Sequence, residues 1–210
     1  MNTGSEAATG PSSPPVIAAV VLAAGESSRM GADKALLMYR GRTFLENIIT
    51  ALQGAGVRRV VVVLGHHAEQ IEQSVDLSMV EIVVNQDYQR GQTSSLQAGL
   101  RVLAANEPDG AVFCLVDHPA ISADTIRKLI HHFRSTGEPV VIPQLNGKHG
   151  HPVLVGREVF AQIVGLGRGQ GADTVIHRFR DRTEFVEVTD PAILIDVDDP
   201  ESYLQLARRT

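Results

Sequence analysis

An unbroken apolar run from Val16 to Ala24 stops at Gly25. A strand covered on both faces reads this way, and such strands belong to parallel sheets flanked by helices. Phe44, Leu45, Ile48, Ile49 and Leu52 then recur at helical spacing behind Thr43, a residue type that caps helix starts. Val60 to Leu64, opened by Arg58 and Arg59 and closed by Gly65, reads as a second buried strand, and Val80 to Val84 as a third. Ser94 and Ser95 are placed to cap a helix carrying Leu96, Leu100 and Leu103. Ala111 to Val116 is the fourth predicted strand and ends at Asp117-His118-Pro119. Ser122 opens a helix marked by Ile126, Leu129, Ile130 and Phe133, and Pro139 to Pro143 is a fifth strand.

Strand alternating with helix predicts a mostly parallel sheet with crossover helices. After Pro143 the pattern changes. Asn146-Gly147 and Gly150 interrupt short apolar stretches between Leu145 and Val155, which predicts a hairpin or insertion. A helix over 157–164, a glycine-rich loop over 165–171 and a helix over 173–179 follow. Strands over 184–188 and 192–195 and a last helix from Pro200 complete the pattern. The fold class this predicts is α/β: a Rossmann-like three-layer αβα sandwich with a small β-hairpin insertion. No internal repeat or linker interrupts it, so 16–210 reads as one domain. Residues 1–15 carry one charge, Glu6, among Gly, Ser, Thr, Ala and Pro, and read as a disordered tail.

Composition narrows the function. Hydrophobic residues form 43% of the 210, enough for a sizeable core. Lys plus Arg number 19 and Asp plus Glu 24, a net charge of −5, which gives no whole-molecule electrostatic case for nucleic acid. The absence of Trp and an aromatic content of 4% argue against a base-stacking surface. A lone cysteine, Cys114, excludes an intrachain disulfide or a cysteine zinc site, and its place inside a strand reads as a small buried hydrophobe. The start of the chain lacks a basic segment with an apolar centre, and Val16 to Ala24 is shorter than the roughly 20 apolar residues that span a bilayer. The expectation is a cytoplasmic protein that engages no membrane.

Candidate chemistry concentrates in five places. The first is Leu22-Ala23-Ala24-Gly25-Glu26-Ser27-Ser28-Arg29-Met30-Gly31-Ala32-Asp33-Lys34, which leaves a buried strand through tiny side chains. Backbone N–H groups in such a loop can cradle phosphate oxygens, and Arg29 and Lys34 add positive charge. A plain strand-to-loop turn with solvated charges also fits, and neither G-x-x-x-x-G-K-[ST] nor G-x-G-x-x-G is present. The second is Asp117 at the carboxyl end of a strand, where open parallel sheets bind ligands. A carboxylate there can hold Mg²⁺, and equally can start a turn before Pro119. The third is Ile195-Asp196-Val197-Asp198-Asp199-Pro200-Glu201. Read as a strand end, it puts Asp196 and Asp198 on one side. Asp199 and Pro200 also form a helix start. The fourth is Asn85 with Gln89 to Ser95, small polar residues opening a helix. The fifth is Lys148-His149-Gly150-His151-Pro152, which lacks the third ligand a transition metal needs. His66-His67 and His131-His132 read as exposed loop or helix residues.

The first stretch resembles the signature of the MobA-like nucleotidyltransferase family, L-A-[AG]-G-x-S-x-R-M-G-x-x-K, at every fixed position, and the resemblance extends over roughly Val16 to Ala207. Ala23-Ala24-Gly25, Gln92-Thr93-Ser94-Ser95-Leu96 and Gly150-His151-Pro152-Val153-Leu154 are most similar to the molybdenum cofactor cytidylyltransferase branch. The resemblance implies transfer of CMP from CTP to the phosphate of a molybdopterin-type cofactor with release of pyrophosphate. It also implies Mg²⁺ as cofactor and a molybdoenzyme of the xanthine dehydrogenase type as client. The site it implies has Arg29, Lys34 and Asp117 as catalytic residues. Its nucleotide contacts are Leu22, Ala23, Ala24, Gly25, Ser27, Arg29, Met30, Gly31, Lys34, Asn85, Ser94 and Ser95. Asp117 and Asp198 are the implied metal ligands, with Asp196 as the alternative to Asp198. The acceptor meets His118, Pro119, Gly150, His151 and Pro152.

A methyl at Ala24, where guanylyltransferases carry glycine, is expected to narrow the base slot toward a pyrimidine. One departure leaves the acceptor open. Arg168-Gly169-Gln170-Gly171-Ala172-Asp173 stands where relatives show G-D-x-G-A-R. Alternatives are a guanylyltransferase, a sugar-phosphate nucleotidyltransferase, or a non-catalytic chaperone that carries the cofactor. The last has no need of both Asp117 and Asp198.

Overall fold

The computed structural model describes residues 14–104 and 108–208. Of the predicted tail, residues 1–13 lie outside the described residues.

The strands, in chain order, are β1 (Ile17–Ala23), β2 (Met38–Tyr39), β3 (Arg42–Thr43), β4 (Arg59–Leu64), β5 (Glu81–Val84), β6 (Gly110–Leu115), β7 (Val140–Leu145), β8 (Lys148–His149), β9 (Val153–Gly156) and β10 (Thr183–Glu187). The α-helices are α1 (Phe44–Gly54), α2 (Ala68–Ser74), α3 (Gln92–Ala104), α4 (Ala123–Thr136), α5 (Arg157–Val164), α6 (Ala172–Arg178) and α7 (Pro200–Ala207). The main sheet runs β10-β7-β9-β6-β1-β4-β5, with β8 paired to β7, and β2 and β3 form a separate antiparallel pair. The β4–β1–β6 centre is parallel, as are β4–β5 and β7–β10, whereas β9 runs antiparallel between β6 and β7. None of the described helices is long and apolar enough to cross a membrane.

The unbroken apolar run of β1 has the predicted cause. Ile17, Ala19, Val21 and Ala23 pack on one face with α1, α2 and α4 residues such as Leu45, Ile71 and Leu129. Ala18, Val20 and Leu22 pack on the other with Leu96, Leu100 and Phe160 from α3 and α5. Two cores on opposite faces of one sheet make three layers. The buried side chains Leu45, Leu100 and Leu129 each contribute about 2 kcal/mol by leaving water. Thr43 and Glu46 form a reciprocal capping box at the start of α1, and the Ser122 hydroxyl accepts the Thr125 N–H at the start of α4.

Four predicted features change. The strand over 80–84 is an edge strand: Glu81, Ile82 and Val84 are exposed, because the last strand of the path pairs only with β4. The residues over 192–195 form a 3₁₀ turn, Pro191–Leu194. Asp190 accepts the Ala192 N–H and Pro191 pre-sets the turn, a local signal stronger than the apolar alternation. Helix α3 begins at Gln92, so Ser94 and Ser95 lie inside its first turn instead of capping it. The hairpin exists, with Asn146 and Gly147 both at positive φ as a tight two-residue turn requires, but the stretch that follows becomes β9, an inner strand of the main sheet.

Candidate active site

The chain leaves β1 for β4 on one side and returns to β6 on the other. A crevice therefore opens at the carboxyl ends of β1 and β6, where this reversal leaves room between the diverging loops. It is a cleft of about 300 Å³ lined by Leu22, Ala23, Ala24, Gly25, Ser27, Arg29, Lys34, Ser95, Asp117 and Asp198 among others. The signature loop closes on itself at Ser27, whose φ is +51°. The Ser27 carbonyl accepts the N–H groups of Met30 (2.9 Å) and Gly31 (3.2 Å), and its hydroxyl accepts the Lys34 N–H at 3.1 Å. That fold-back brings Arg29 and Lys34 to one side of the cleft. Gly65 at the end of β4 is required by close approach: a Cβ there would lie 2.7 Å from the Ala24 carbonyl oxygen and 2.8 Å from Tyr88 Cβ.

Opposite the loop stand two carboxylates. Lys34 Nζ lies 2.5 Å from Asp198 Oδ1 and 3.5 Å from Asp117 Oδ2, and Arg29 Nη2 lies 3.1 Å from Asp198 Oδ2. The Asp117 carbonyl accepts the Val197 N–H at 2.9 Å, which ties the two acidic segments together. The Lys34 ammonium holds the Asp198 carboxyl below the usual carboxylate range, with Arg29 adding to the effect. Asp117 Oδ1 is buried and has no hydrogen-bond partner. An unpartnered carboxylate oxygen beside a second carboxylate, with one ammonium shared between them, is a donor set that fits a hard divalent cation completed by phosphate oxygens. No group of three or more His, Cys, Asp or Glu side chains suited to a metal exists among the described residues.

Asp196 departs from its predicted place. Residues 195–199 are not a strand, so the alternation that put it beside Asp198 does not hold. Its charge favours the protonated form of His118, after the larger effect of Asp117, and of His151. These two rings lie 5.0 Å apart, tilted by 47°, and with Pro152 and Cys114 line a small pocket. Burial pushes His118 below its ordinary value, and burial plus the neighbouring His118 push His151 down to about 4. Burial raises the Cys114 thiol to about 12, so it stays a packed, protonated side chain. Gly150 is forced by contact, since a Cβ would collide with the Ile193 carbonyl. Of the acceptor-side residues, His118, Pro119 and Pro152 are buried, and Gly150 and His151 are partly exposed.

Residues 19–183 match the MobA-like NTP transferase domain. The chain belongs to the MobA-like family. It is 30% identical to nicotine blue oxidoreductase of Paenarthrobacter nicotinovorans, over 91% of this chain and 97% of that protein. It is 27% identical to molybdenum cofactor cytidylyltransferase of Escherichia coli K12, over 90% and 95%. The crystal structure of Rv0371c from Mycobacterium tuberculosis superposes with a TM-score of 0.81 at 29% identity, covering 94% of this chain and all of that one. A manganese complex of the same mycobacterial protein superposes with a TM-score of 0.75 at 27% identity, over 92% and 99%.

Within this MobA-like site some signature residues serve the loop itself. Met30 is buried with Tyr39, Phe44, Val197 and Leu206, away from the cleft. Gly31 takes φ +71° to turn the chain toward Lys34. Ala24 lines the cleft but is 4% exposed and packs beside Gly65, so the methyl expected to narrow the base slot is largely spent on the wall. Asn85 and Ser94 do not face the cleft. The Asn85 amide donates to Ser94 Oγ (2.9 Å) and Ser95 Oγ (3.0 Å), and its carbonyl accepts the Asp87 N–H. Together they shape the loop that presents Gly91, Gln92 and Ser95. Thr93 accepts the Ala172 N–H at 3.1 Å, and Gln97 donates to the carbonyls of Ile163, Val164 and Leu166, which anchors the glycine-rich loop to α3. Sequence reasoning missed Asp33, Gly65, His67 and Tyr88, which come from three separate loops. The one signal available was that the loops follow β1, β4 and β5, three neighbouring strands of the sheet.

Proposed function

We propose that this member of the nucleotidyltransferase family transfers CMP from CTP to the terminal phosphate of a molybdopterin-type cofactor and releases pyrophosphate. The observation that carries the reading is the opposition of Arg29 and Lys34 to Asp117 and Asp198 across one small cleft at the switch point of the sheet. The relative that acts as a molybdenum cofactor cytidylyltransferase supports the donor and acceptor.

The acceptor phosphate is its own nucleophile, so no side chain need be activated. An acceptor oxygen bonds to the α-phosphorus of the nucleotide as the bond to the bridging oxygen of pyrophosphate breaks. Arg29 and Lys34 draw the leaving pyrophosphate's charge, and the loop amides orient the phosphates. Asp117 and Asp198 would hold a divalent cation, with Mg²⁺ the proposed one. When bound, it supplies charge neutralisation and Lewis-acid polarisation at the α-phosphate. The manganese complex of a structural relative supports a divalent ion here.

Pyrophosphate release measured with each of the four nucleoside triphosphates, Mg²⁺ and molybdopterin cofactor tests the reading. CTP is expected to give the highest rate, and a higher rate with GTP replaces the donor. The similarity to an oxidoreductase favours a second reading, redox chemistry on a small molecule in the same cleft. Oxidation of a reduced nicotinamide nucleotide with no pyrophosphate release from any triphosphate would establish that reading instead.

A further inference from the structure

Asp33 directly precedes Lys34, and its carboxylate points across the chain to His67, with Oδ2 2.9 Å from His67 Nδ1. A carboxylate only accepts, so His67 Nδ1–H donates. The Asp33 side chain is 8% exposed although it lies in a loop. Both residues occupy helix N-cap positions, Asp33 before the 3₁₀ turn Lys34–Leu36 and His67 before α2, and neither caps its own helix. Aspartate at an N-cap ordinarily satisfies the amides of the following turn. Here that role is given up for a contact with a residue thirty-four positions away. His67 also sits at φ +50°, a left-handed conformation sparsely used by residues other than glycine and asparagine, and kept where the surroundings determine it.

The contact continues to the loop after β5. The His67 ring lies on His66 with centroids 3.7 Å apart, and His66 Nδ1 lies 3.2 Å from the Tyr88 hydroxyl. Asp33 and Tyr88 both line the cleft, one on the Lys34 side and one on the side of Gly91 and Ser95. Three loops, following β1, β4 and β5, are thereby joined in series.

We propose that Asp33 and His67 are positioning residues: their hydrogen bond registers the Lys34 loop against the opposite wall and so sets the span a nucleotide must fit. This rests on the cleft taking a nucleoside triphosphate. The loop closes on itself through Ser27 and needs no help to hold phosphate. The pin matters for a ligand that touches both walls at once, that is, one carrying both phosphates and a base.

The test compares binding of CTP and of inorganic tripolyphosphate, each with Mn²⁺, by calorimetry. The proteins are the wild type, His67→Ala, Asp33→Ala, the double variant and His67→Asn. His67→Ala is expected to weaken CTP about tenfold, the scale of one charge-assisted hydrogen bond, and to leave tripolyphosphate within about twofold. The double variant should be no weaker than the worse single variant, because both remove the same bond. His67→Asn tolerates the left-handed backbone and offers an amide N–H, so it should recover most of the affinity and keeps the test open if the alanine variant does not fold. Unchanged CTP binding in His67→Ala, or equal losses for both ligands, overturns the pin and leaves the nucleotide reading standing. A wild type that binds neither ligand overturns the nucleotide reading and the pin with it.

Discussion

Lys34 Nζ lies 2.5 Å from Asp198 Oδ1, pairing the ammonium with one of the two carboxylates proposed to hold a divalent cation. The same ammonium is 3.5 Å from Asp117 Oδ2. Lys34 and Arg29 together offset the charge of the two carboxylates. Removing the lysine charge by Lys34→Met is expected to tighten Mn²⁺ binding without nucleotide, by about tenfold, because two carboxylates lose their competing cation. Tripolyphosphate binding should weaken in the same variant. Mn²⁺ titration followed by electron paramagnetic resonance measures the first effect, and weaker Mn²⁺ binding in the variant would show that Lys34 does not compete for the site.

Asp117 Oδ1 is buried without a hydrogen-bond partner, and the nearest cation, Lys34, is 3.5 Å from the other oxygen. Asp117→Asn keeps the shape and removes the charge. Turnover is expected to fall by about 10²–10³ with the melting temperature little changed, since an electrostatic contact of the reaction is lost and packing is not. Steady-state rates beside a thermal melt decide it. A turnover close to wild type would remove Asp117 from the metal site.

Helix α3 lies close on the sheet at Gly99. An alanine Cβ there would come 2.6 Å from Val20 Cγ1 and 2.9 Å from Val63 Cγ2. Helix propensity favours alanine by about 1 kcal/mol, while overpacking costs about 1–3 kcal/mol. The clash is with β-branched side chains of buried strands, which have little room to turn, so Gly99→Ala is expected to destabilise by about 1–2 kcal/mol. Urea unfolding measures this. A gain in stability would mean the sheet yields.

The depressed His151 makes native stability depend on pH. Above the ordinary histidine range the ring is neutral in both folded and unfolded chains and contributes nothing. As pH falls below about 6.5 the unfolded chain takes up a proton that the native state, with His151 at about 4, refuses. Stability should therefore fall between those values and level off below about 4, where both states bind the proton. His151→Gln should flatten that part of the profile. Denaturant midpoints from pH 7 to pH 4 test it, and identical slopes in the two proteins would remove His151 as a source.

Much of the architecture was determined by sequence alone, because its signals are local. Continuous apolar runs mark strands buried on both faces, as in β1, and a residue such as Thr43 or Ser122 before a helical period marks where α1 and α4 begin. The signature from Leu22 to Lys34 likewise named the charged residues of one wall before any fold was known. What sequence could not decide depends on which segments become neighbours. An apolar stretch at 81–84 says nothing about being last in the sheet, and one at 153–156 says nothing about running antiparallel between two other strands. Spacing put Asp196 beside Asp198 by assuming a strand. The tertiary structure shows no strand there, and it is Asp198 that pairs with Lys34 across the cleft. Asp33 and His67 meet because β1 and β4 are adjacent parallel strands whose exits lie side by side. That pairing is set by the closing of the core, in which every strand register is chosen by burial over the whole sheet, and no window of sequence contains it.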